Sequence, residues 1–329
     1  MRKALRDAVV VITGASSGVG QAAAEEFARR GSKLVLAARD AAALQRVAKT
    51  CREMGAEVLV VPTDVTDADA VRELARKATS FGKIDVWFSN VGVGAVGRFV
   101  ETPIAAHEQV IRTNLMGHIN DAHAVIPIFL KQRQGTFINM ISLGGFASTP
   151  FATAYSASKF GLRGFSEALR AELADEPDIH ICDVYPTFMD TPGVAHGANY
   201  TGRKLSVPPP VYNARRAARA IVRLAERPRT SITVGFVADL ARFAHFLAPN
   251  LTTRLLAQLT SRYLSQAPRV ESSNGNLFRA PAVAGGIDGG LRSSHRIPLA
   301  TVAAVAVVGL AVAALIAGKP RASHIGVLR

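Results

Sequence analysis

Cysteine is scarce in this 329-residue chain, and its histidines lack the spacing of metal ligands. The two cysteines, Cys51 and Cys182, fall in a predicted helix and a predicted strand. This usage argues against a disulfide framework and predicts ordinary buried thiols in a reducing compartment. The eight histidines form no ligand-spaced cluster, so the sequence predicts no metal site.

Acidic residues are also scarce, but only towards the end of the chain. Residues 201–329 hold 18 Lys and Arg against 4 Asp and Glu, whereas residues 1–200 hold 21 of each. The net charge of +14 therefore belongs to the last part of the chain. A basic stripe at residues 213–227 is interpreted as the solvated face of a core-packed helix. Because no nucleic-acid-reading motif accompanies the charge, a nucleic-acid partner is not expected.

The chain has no internal repeat, and it alternates short apolar strands with helical patterns. Seven strands are predicted, the first near Val9 and the last at residues 231–234. Buried apolar strands with short connections predict a mostly parallel sheet that helices cover on both faces. The predicted fold class is α/β, a doubly wound Rossmann fold with a C-terminal helical extension.

A glycine-rich turn directly follows the first strand. The strand at residues 9–13 leads into Gly14-Ala15-Ser16-Ser17-Gly18-Val19-Gly20, and a helical pattern then runs to about Gly31. Glycines let a backbone approach a pyrophosphate closely, and the helix N-terminus offers free N–H groups and a favourable dipole. The strand, turn and helix therefore predict a dinucleotide site, although the spacing is Gly-x-x-x-Gly-x-Gly and not Gly-x-Gly-x-x-Gly.

Tyr155 and Lys159 are separated by four residues in the run Tyr155-Ser156-Ala157-Ser158-Lys159. In a helix this spacing places both side chains on one face. An ammonium close to a phenol favours the phenolate and lowers the phenol's pKa towards neutral pH. The pair is therefore a candidate general acid/base.

The two motifs together resemble the classical short-chain dehydrogenase/reductase family over about residues 5–235. Further matches follow in the family's order: Asp64-Val65, Ser89-Asn90-Val91-Gly92, Asn114, Ser142 and Pro186-Thr187. Ser89 stands where the family usually has Asn, and Thr187 where Gly is common. These departures bear on cofactor geometry more than on proton transfer.

The resemblance implies a catalytic tetrad. Tyr155 would exchange a proton with the substrate oxygen, Lys159 would hold the nicotinamide ribose and lower the tyrosine pKa, Ser142 would bind the reacting carbonyl or alcohol, and Asn114 would anchor a water of the proton relay. The implied cofactor contacts are Gly14, Ser16, Ser17, Gly18, Val19, Gly20, Arg39, Asp64, Val65, Asn90, Gly92, Tyr155, Lys159, Pro186 and Thr187. The family's members are commonly dimers or tetramers, so a homo-oligomer is expected.

Arg39 ends the second predicted strand and bears on the choice of cofactor. An NAD enzyme would place an acidic residue here to accept from the ribose 2′-hydroxyl. This chain has Ala38 and then Arg39, and a guanidinium can pair with a 2′-phosphate. NADP(H) is therefore favoured over NAD(H).

The chain divides into five segments. Residues 1–235 are the predicted catalytic domain, 236–265 an amphipathic helical extension, 266–297 a Gly/Ser/Pro-rich flexible linker, 298–318 a transmembrane helix and 319–329 a short basic tail. The extension is interpreted either as an interfacial helix on the bilayer, which is slightly favoured, or as a lid over the substrate cleft.

An uncharged apolar run occupies residues 299–317. As a helix its 19 residues would span about 28 Å, close to a hydrocarbon core of about 30 Å. A membrane span is favoured over a buried or oligomer-forming helix and over a disordered apolar tail. The first strand begins within ten residues of Met1, which leaves no room for a cleavable signal. The expected topology is a single-pass C-terminal anchor with the catalytic domain in the cytoplasm.

The function predicted from these features is NADP(H)-dependent interconversion of a carbonyl and an alcohol on a small, lipophilic substrate. The segment at about residues 187–212 would close over that substrate through apolar side chains: Phe188, Met189, Val194, Tyr200 and Val211. The alternative is a membrane-tethered sensor or scaffold that binds NADP(H) without turnover.

Overall fold

A seven-stranded parallel sheet forms the centre of the computed structural model, which describes residues 5–280 and 285–292. The spatial order of its strands is β7-β6-β5-β4-β1-β2-β3, the arrangement of a doubly wound Rossmann fold. The strands are β1 (Val9–Thr13), β2 (Lys33–Ala38), β3 (Val58–Pro62), β4 (Ile84–Ser89), β5 (Gly135–Met140), β6 (Ile179–Pro186) and β7 (Ser231–Val234). The predicted fold class is confirmed.

Helices connect the strands and cover both faces of the sheet. They are α1 (Gly18–Ala28), α2 (Ala41–Glu53), α3 (Ala68–Phe81), α4 (Ile104–Ile111), α5 (Gly117–Gln132), α6 (Thr153–Glu172), α7 (Gly193–His196), α8 (Ala214–Glu226), α9 (Phe236–Leu247) and α10 (Pro249–Gln266). Side chains cap several of them, as where Asp40 accepts from the Ala43 N–H at 2.9 Å. A π-helical segment, Arg112–Met116, separates α4 from α5.

Alternate residues of the central strand belong to two separate apolar cores. Val10 and Ile12 pack with the core that contains α1, α2 and α8, whereas Val9 and Val11 pack with the core that contains α3 and α5. All four side chains are buried. Side chains of a strand alternate between faces, so a continuous apolar run fits a strand that is covered on both sides.

The two cysteines are free and buried, as the sequence indicates. Burial raises the pKa of both Cys51 and Cys182 to about 12. Neither thiol is therefore a nucleophile at neutral pH. Within the residues that the structure describes, no group of three or more His, Cys, Asp or Glu side chains could hold a metal ion.

The predicted amphipathic extension consists of two helices, α9 and α10, that meet at Ala248 and Pro249. Arg242 on α9 stacks over the ring of Phe146 at 4.7 Å, which brings this helix against the catalytic domain. Other α9 side chains, Phe243 and Phe246 among them, are exposed. No helix in the described part of the chain is both long and apolar enough to cross a bilayer. The predicted span at residues 299–317 lies outside the described residues.

Residues 268–280 and 285–292, here called the C-terminal strap, differ from the flexible linker that their composition predicts. They have no regular helix or long strand, but their backbone pairs with the domain through the bridges Asn199–Ser273 and Arg203–Arg269. Leu277 is completely buried, in a cluster with Val93 and Ala198. Ile287 is also buried, in the core that contains α1, α2 and α8. Backbone pairing and these two buried side chains hold the strap without any sequence periodicity.

Candidate active site

Helix α6 presents Tyr155 and Lys159 on one face, at the carboxyl end of the sheet. The Lys159 ammonium nitrogen lies 5.8 Å from the centre of the Tyr155 ring. It donates a hydrogen bond to the Met140 carbonyl, the last residue of β5, at 3.1 Å. Lys159 is buried and Tyr155 half-buried. The helix and the strand end therefore fix the lysine beside the phenol.

Ser142 follows β5 in a backbone conformation that is rare for a residue with a side chain. Its φ is 142° and its ψ 163°, a region that is populated almost exclusively by glycine. The serine Oγ accepts a hydrogen bond from the Gly144 N–H at 3.1 Å. A Cβ added at Gly144 would lie 3.1 Å from Tyr155 Cε1 and 3.7 Å from Ser142 Oγ. The two hydroxyl-bearing residues thus flank one narrow space, which a glycine keeps open.

Asn114 lies in the π-helical segment, a feature that often marks functional sites. Its amide accepts from the Val93 N–H at 2.8 Å and donates to the Val93 carbonyl at 2.9 Å. It also donates to the Ser158 hydroxyl at 3.2 Å. The side chain therefore fixes the loop after β4 against helix α6, one residue from Lys159.

The pKa values of the pair differ from the sequence-based expectation. Burial lowers the pKa of Lys159 to about 7. Burial also raises the pKa of Tyr155, and the hydrogen bond with Ser142 offsets only part of that rise. The predicted lowering of the tyrosine pKa by Lys159 is therefore not what this structure gives, because the loss of hydration on burial is the largest influence on the phenol.

The glycine-rich turn has the geometry that a pyrophosphate site needs. Gly14 and Gly18 have positive φ values of 66° and 55°, and a Cβ at Gly20 would lie 2.1 Å from the Gly14 carbonyl oxygen. Ser17 caps α1 without a side-chain hydrogen bond to the helix. Ser16, Ser17 and Val19 are half-buried along the same turn. The predicted contact residues are therefore gathered at one helix N-terminus.

Arg39 lies directly after β2, one residue beyond its last position, Ala38. Its guanidinium donates to the Asn276 carbonyl at 2.8 Å and to the carbonyls of Leu277 and Arg279 at 3.4 Å each. The next strand end carries Asp64, which accepts from the Thr66 N–H at 2.9 Å. Val65 is buried, and its carbonyl accepts from Asn120 at 2.8 Å.

The remaining predicted contacts lie at two strand ends: Asn90 and Gly92 follow β4, and Pro186 and Thr187 lie at the end of β6. Asn90 donates to the Gly14 carbonyl at 3.2 Å and so joins the glycine-rich turn to the end of β4, two residues before Gly92. Pro186 ends β6. Thr187 donates from its backbone and from its hydroxyl to the Val234 carbonyl, at 3.1 Å and 3.2 Å. The Thr187 hydroxyl therefore binds the neighbouring strand β7. Glycine, which is common at this position in the family, has no side chain that could make this hydrogen bond.

The sequence interpretation missed a buried carboxyl behind the turn, Asp121. It accepts from the hydroxyls of Thr13 at 2.8 Å and Ser89 at 2.6 Å, and the Thr13 hydroxyl in turn accepts from the Asn90 N–H at 3.3 Å. Burial raises the pKa of Asp121 to about 7, although both hydroxyls oppose the shift. Asp121 therefore positions the ends of β1 and β4. The unusual Ser89 was the one sequence signal that could have indicated it.

Residues 8–199 match the family described as short chain dehydrogenase. The chain belongs to the short-chain dehydrogenase/reductase family. This short-chain dehydrogenase is 31% identical over 261 residues to the uncharacterized oxidoreductase YxnA of Bacillus subtilis, and the match covers 78% of this chain and 73% of that one. It is 39% identical over 188 residues to mouse dehydrogenase/reductase SDR family member 7, with 55% of each chain covered. It thus spans about half the length of that mouse relative.

Solved structures share the fold over most of their own length. An alcohol dehydrogenase from the archaeon Thermococcus sibiricus, complexed with 5-hydroxy-NADP, superposes with a TM-score of 0.60 at 26% identity, covering 69% of this dehydrogenase and 95% of that chain. A metagenomic short-chain oxidoreductase in complex with NADP gives the same TM-score and identity, covering 70% and 98%. The resemblance stated from sequence motifs is therefore confirmed at the level of family and fold.

Proposed function

We propose that this short-chain dehydrogenase is an NADP(H)-dependent oxidoreductase that interconverts a carbonyl and an alcohol, with Tyr155 as general acid/base. The observation that carries the proposal is the shared space between Ser142 and Tyr155, with Lys159 on the same helix face. A hydroxyl at the end of a strand and a phenol on a fixed helix can bind one substrate oxygen from two sides.

Each residue has a separate proposed role at that substrate oxygen. Ser142 orients it, since its hydroxyl is already held beside Tyr155 by the Gly144 N–H and by the hydrogen bond with the phenol. Burial raises the pKa of Tyr155, so the phenol carries its proton at neutral pH and is the group proposed to exchange it with the substrate oxygen. The Asn114 amide keeps the loop at Val93 in place. NADP(H), when bound, supplies or accepts the hydride.

The residues of the cleft fit this cofactor. The turn from Gly14 to Gly20 offers backbone N–H groups at a helix N-terminus, and Arg39 offers a guanidinium suited to a 2′-phosphate. The position directly after β2, where an NAD enzyme would carry an acidic side chain, carries Arg39. Two structural neighbours are complexed with NADP or 5-hydroxy-NADP. Lys159 and Tyr155 would contact the nicotinamide ribose.

A lipophilic substrate is proposed from the apolar side chains that follow the strand ends. Met189 is buried after β6, and Phe146, which follows Ser142, packs on Tyr185 with ring centres 4.2 Å apart. The test is a turnover screen with NADPH and NADH over aliphatic, aromatic and steroid-like carbonyls, with detergent-purified full-length protein. NADPH oxidation with at least one apolar carbonyl is the expected result. Tight NADPH binding without turnover across the panel would favour the sensor or scaffold instead.

Membrane association is proposed from two features that lie outside the catalytic centre. Phe243 and Phe246 on α9 are 61% and 81% exposed, and aromatic side chains insert favourably at a bilayer interface. The apolar run at residues 299–317 supplies the proposed anchor. Deleting residues 299–329 should move the protein to the soluble fraction. If it stays with membranes, the double variant Phe243→Ser/Phe246→Ser tests whether α9 holds it there.

A further inference from the structure

The C-terminal strap lies in the cleft where the proposed cofactor would bind. The Gly18 N–H, which belongs to the glycine-rich turn, donates to the Gly286 carbonyl at 2.8 Å. At the other end of the proposed cofactor site, Arg39 donates to the Asn276, Leu277 and Arg279 carbonyls. The strap thus uses the two donors assigned to the pyrophosphate and to the 2′-phosphate.

A separate set of contacts anchors the strap beside the cleft. The buried Asp190 carboxylate accepts from the Gly289 N–H at 3.0 Å, the Leu291 N–H at 2.7 Å and the Arg292 guanidinium at 2.7 Å. Burial alone would raise the pKa of Asp190, but these three donors hold it below its ordinary value. Arg215 adds an ion pair with Asp288 at 2.9 Å. Backbone hydrogen bonds and ion pairs therefore hold the strap in one docked position beside the cleft.

The strap also holds the segment that is proposed to cover the substrate. Its Asn276 N–H donates to the His196 carbonyl at 2.8 Å, and the Tyr200 hydroxyl donates to the Asn274 side chain at 2.7 Å. The two described parts of the strap therefore contact the phosphate turn, Arg39 and the substrate segment. A loop that only packed on the surface would not be expected to contact all three of these sites.

We propose that the strap is an autoinhibitory element, which competes with NADP(H) for Gly18 and Arg39 and must leave the cleft before the cofactor binds. The inference rests on the proposed function, because it takes these residues as cofactor contacts. A carbonyl oxygen accepts from the same donors as a phosphate oxygen but carries only a partial charge. A cofactor with full negative charges can therefore displace the strap. The fraction of molecules in which the strap is docked then sets the apparent affinity for NADP(H).

Two neighbouring glycines of the strap provide a matched pair of variants. A Cβ at Gly285 would lie 2.5 Å from the Ser17 Cβ, so Gly285→Val wedges the strap away from the turn. No described atom lies within 4 Å of a Cβ at Gly286, so Gly286→Val adds the same side chain without a clash. Neither glycine has a positive φ. Neither variant replaces a residue that is assigned to the cofactor.

The experiment measures NADPH affinity and amide hydrogen exchange on full-length wild type, Gly285→Val and Gly286→Val. If the strap is docked in about nine of ten molecules, Gly285→Val should bind NADPH about tenfold more tightly than the other two proteins. Without cofactor, the peptides that contain Gly18 and residues 285–292 should exchange faster in Gly285→Val. Saturating NADPH should produce the same faster exchange of residues 285–292 in the wild type.

Several results would overturn the proposal. Equal or weaker NADPH binding by Gly285→Val, despite faster exchange, would show that the strap does not compete. Unchanged exchange in Gly285→Val and also in the anchor variant Arg292→Ala/Asp288→Ala would contradict the docked arrangement. Absence of NADPH binding in every protein would overturn both this proposal and the proposed function. Full turnover after Tyr155→Phe, in contrast, would contradict only the proposed function.

Discussion

Lys159 donates a hydrogen bond to the Met140 carbonyl while its ammonium lies 5.8 Å from the centre of the Tyr155 ring. Burial lowers the pKa of the Lys159 ammonium to about 7. The lysine therefore changes its charge within the physiological pH range. Its charge state should govern how well the cleft accepts an anionic cofactor, and this leads to the first prediction.

NADPH affinity should fall as the pH rises from 6.5 to 8.5. Binding favours the ammonium and so raises its pKa in the complex. The contribution is fully present below the free-protein pKa of about 7 and is lost progressively as the pH rises from there to the higher pKa of the complex. The fall can approach about tenfold per pH unit at the upper end. Titration calorimetry in buffers of different ionisation enthalpy should show proton uptake on binding near pH 7.5.

Lys159→Arg provides the control for this prediction, because a guanidinium stays protonated throughout the range. Its NADPH affinity should change much less with pH than that of the wild type. An equally steep fall in both proteins would assign the titration to another group.

Replacing Arg39 should change the choice between the two cofactors. Arg39→Ala removes the guanidinium proposed for the 2′-phosphate, and a hydrogen bond to a charged group contributes roughly 1.5–3 kcal/mol. The ratio of the NADPH and NADH dissociation constants should therefore rise roughly ten- to hundredfold. The ratio is the informative quantity, since loss of Arg39 also loosens the strap, and that effect acts equally on both cofactors.

Arg46→Ala is the matched control for Arg39, since Arg46 is an exposed cation on the neighbouring helix α2. Its cofactor ratio should equal that of the wild type. If both variants shift the ratio alike, general electrostatics and not a direct contact would explain the preference.

Two glycines of helix α6 should respond differently to alanine. Gly164 is exposed and has no described atom within 4 Å of an added Cβ, so Gly164→Ala should stabilise the fold by about 0.5–1 kcal/mol. A Cβ at Gly161 would lie 3.0 Å from Leu115 Cδ2, next to Asn114. Gly161→Ala should therefore gain less stability and lower turnover. Chemical denaturation and kcat measurements check both, and equal effects would contradict the described packing.

The strands and the shared helix face of Tyr155 and Lys159 could be predicted because each has a local signal; the catalytic roles of the tetrad stay predictions. Apolar β-branched runs mark buried strands such as residues 9–13. The Tyr155–Lys159 spacing marks a helix face, and the family resemblance supplied Ser142 and Asn114. A parallel sheet that is covered on both faces then follows from the alternation of strands and helices.

The strap and the Asp121 network could not be predicted in the same way. The contacts of Arg39 are to backbone carbonyls of residues 276, 277 and 279, and any amino acid offers such a carbonyl. The partners of Asp121, Thr13 and Ser89, lie 108 and 32 residues away in sequence. The pKa of Tyr155 was also misjudged, because burial depends on the complete fold and not on the spacing of two residues.

The most direct test of the account is turnover by Tyr155→Phe, with NADPH binding measured on the same protein. The matched control is Tyr212→Phe, since the buried Tyr212 hydroxyl has no hydrogen-bond partner among the described residues. Tyr155→Phe should retain its fold and its NADPH affinity but lose at least about a hundredfold in kcat, whereas Tyr212→Phe should keep wild-type turnover. Wild-type turnover by Tyr155→Phe would contradict the assignment of Tyr155 as the general acid/base.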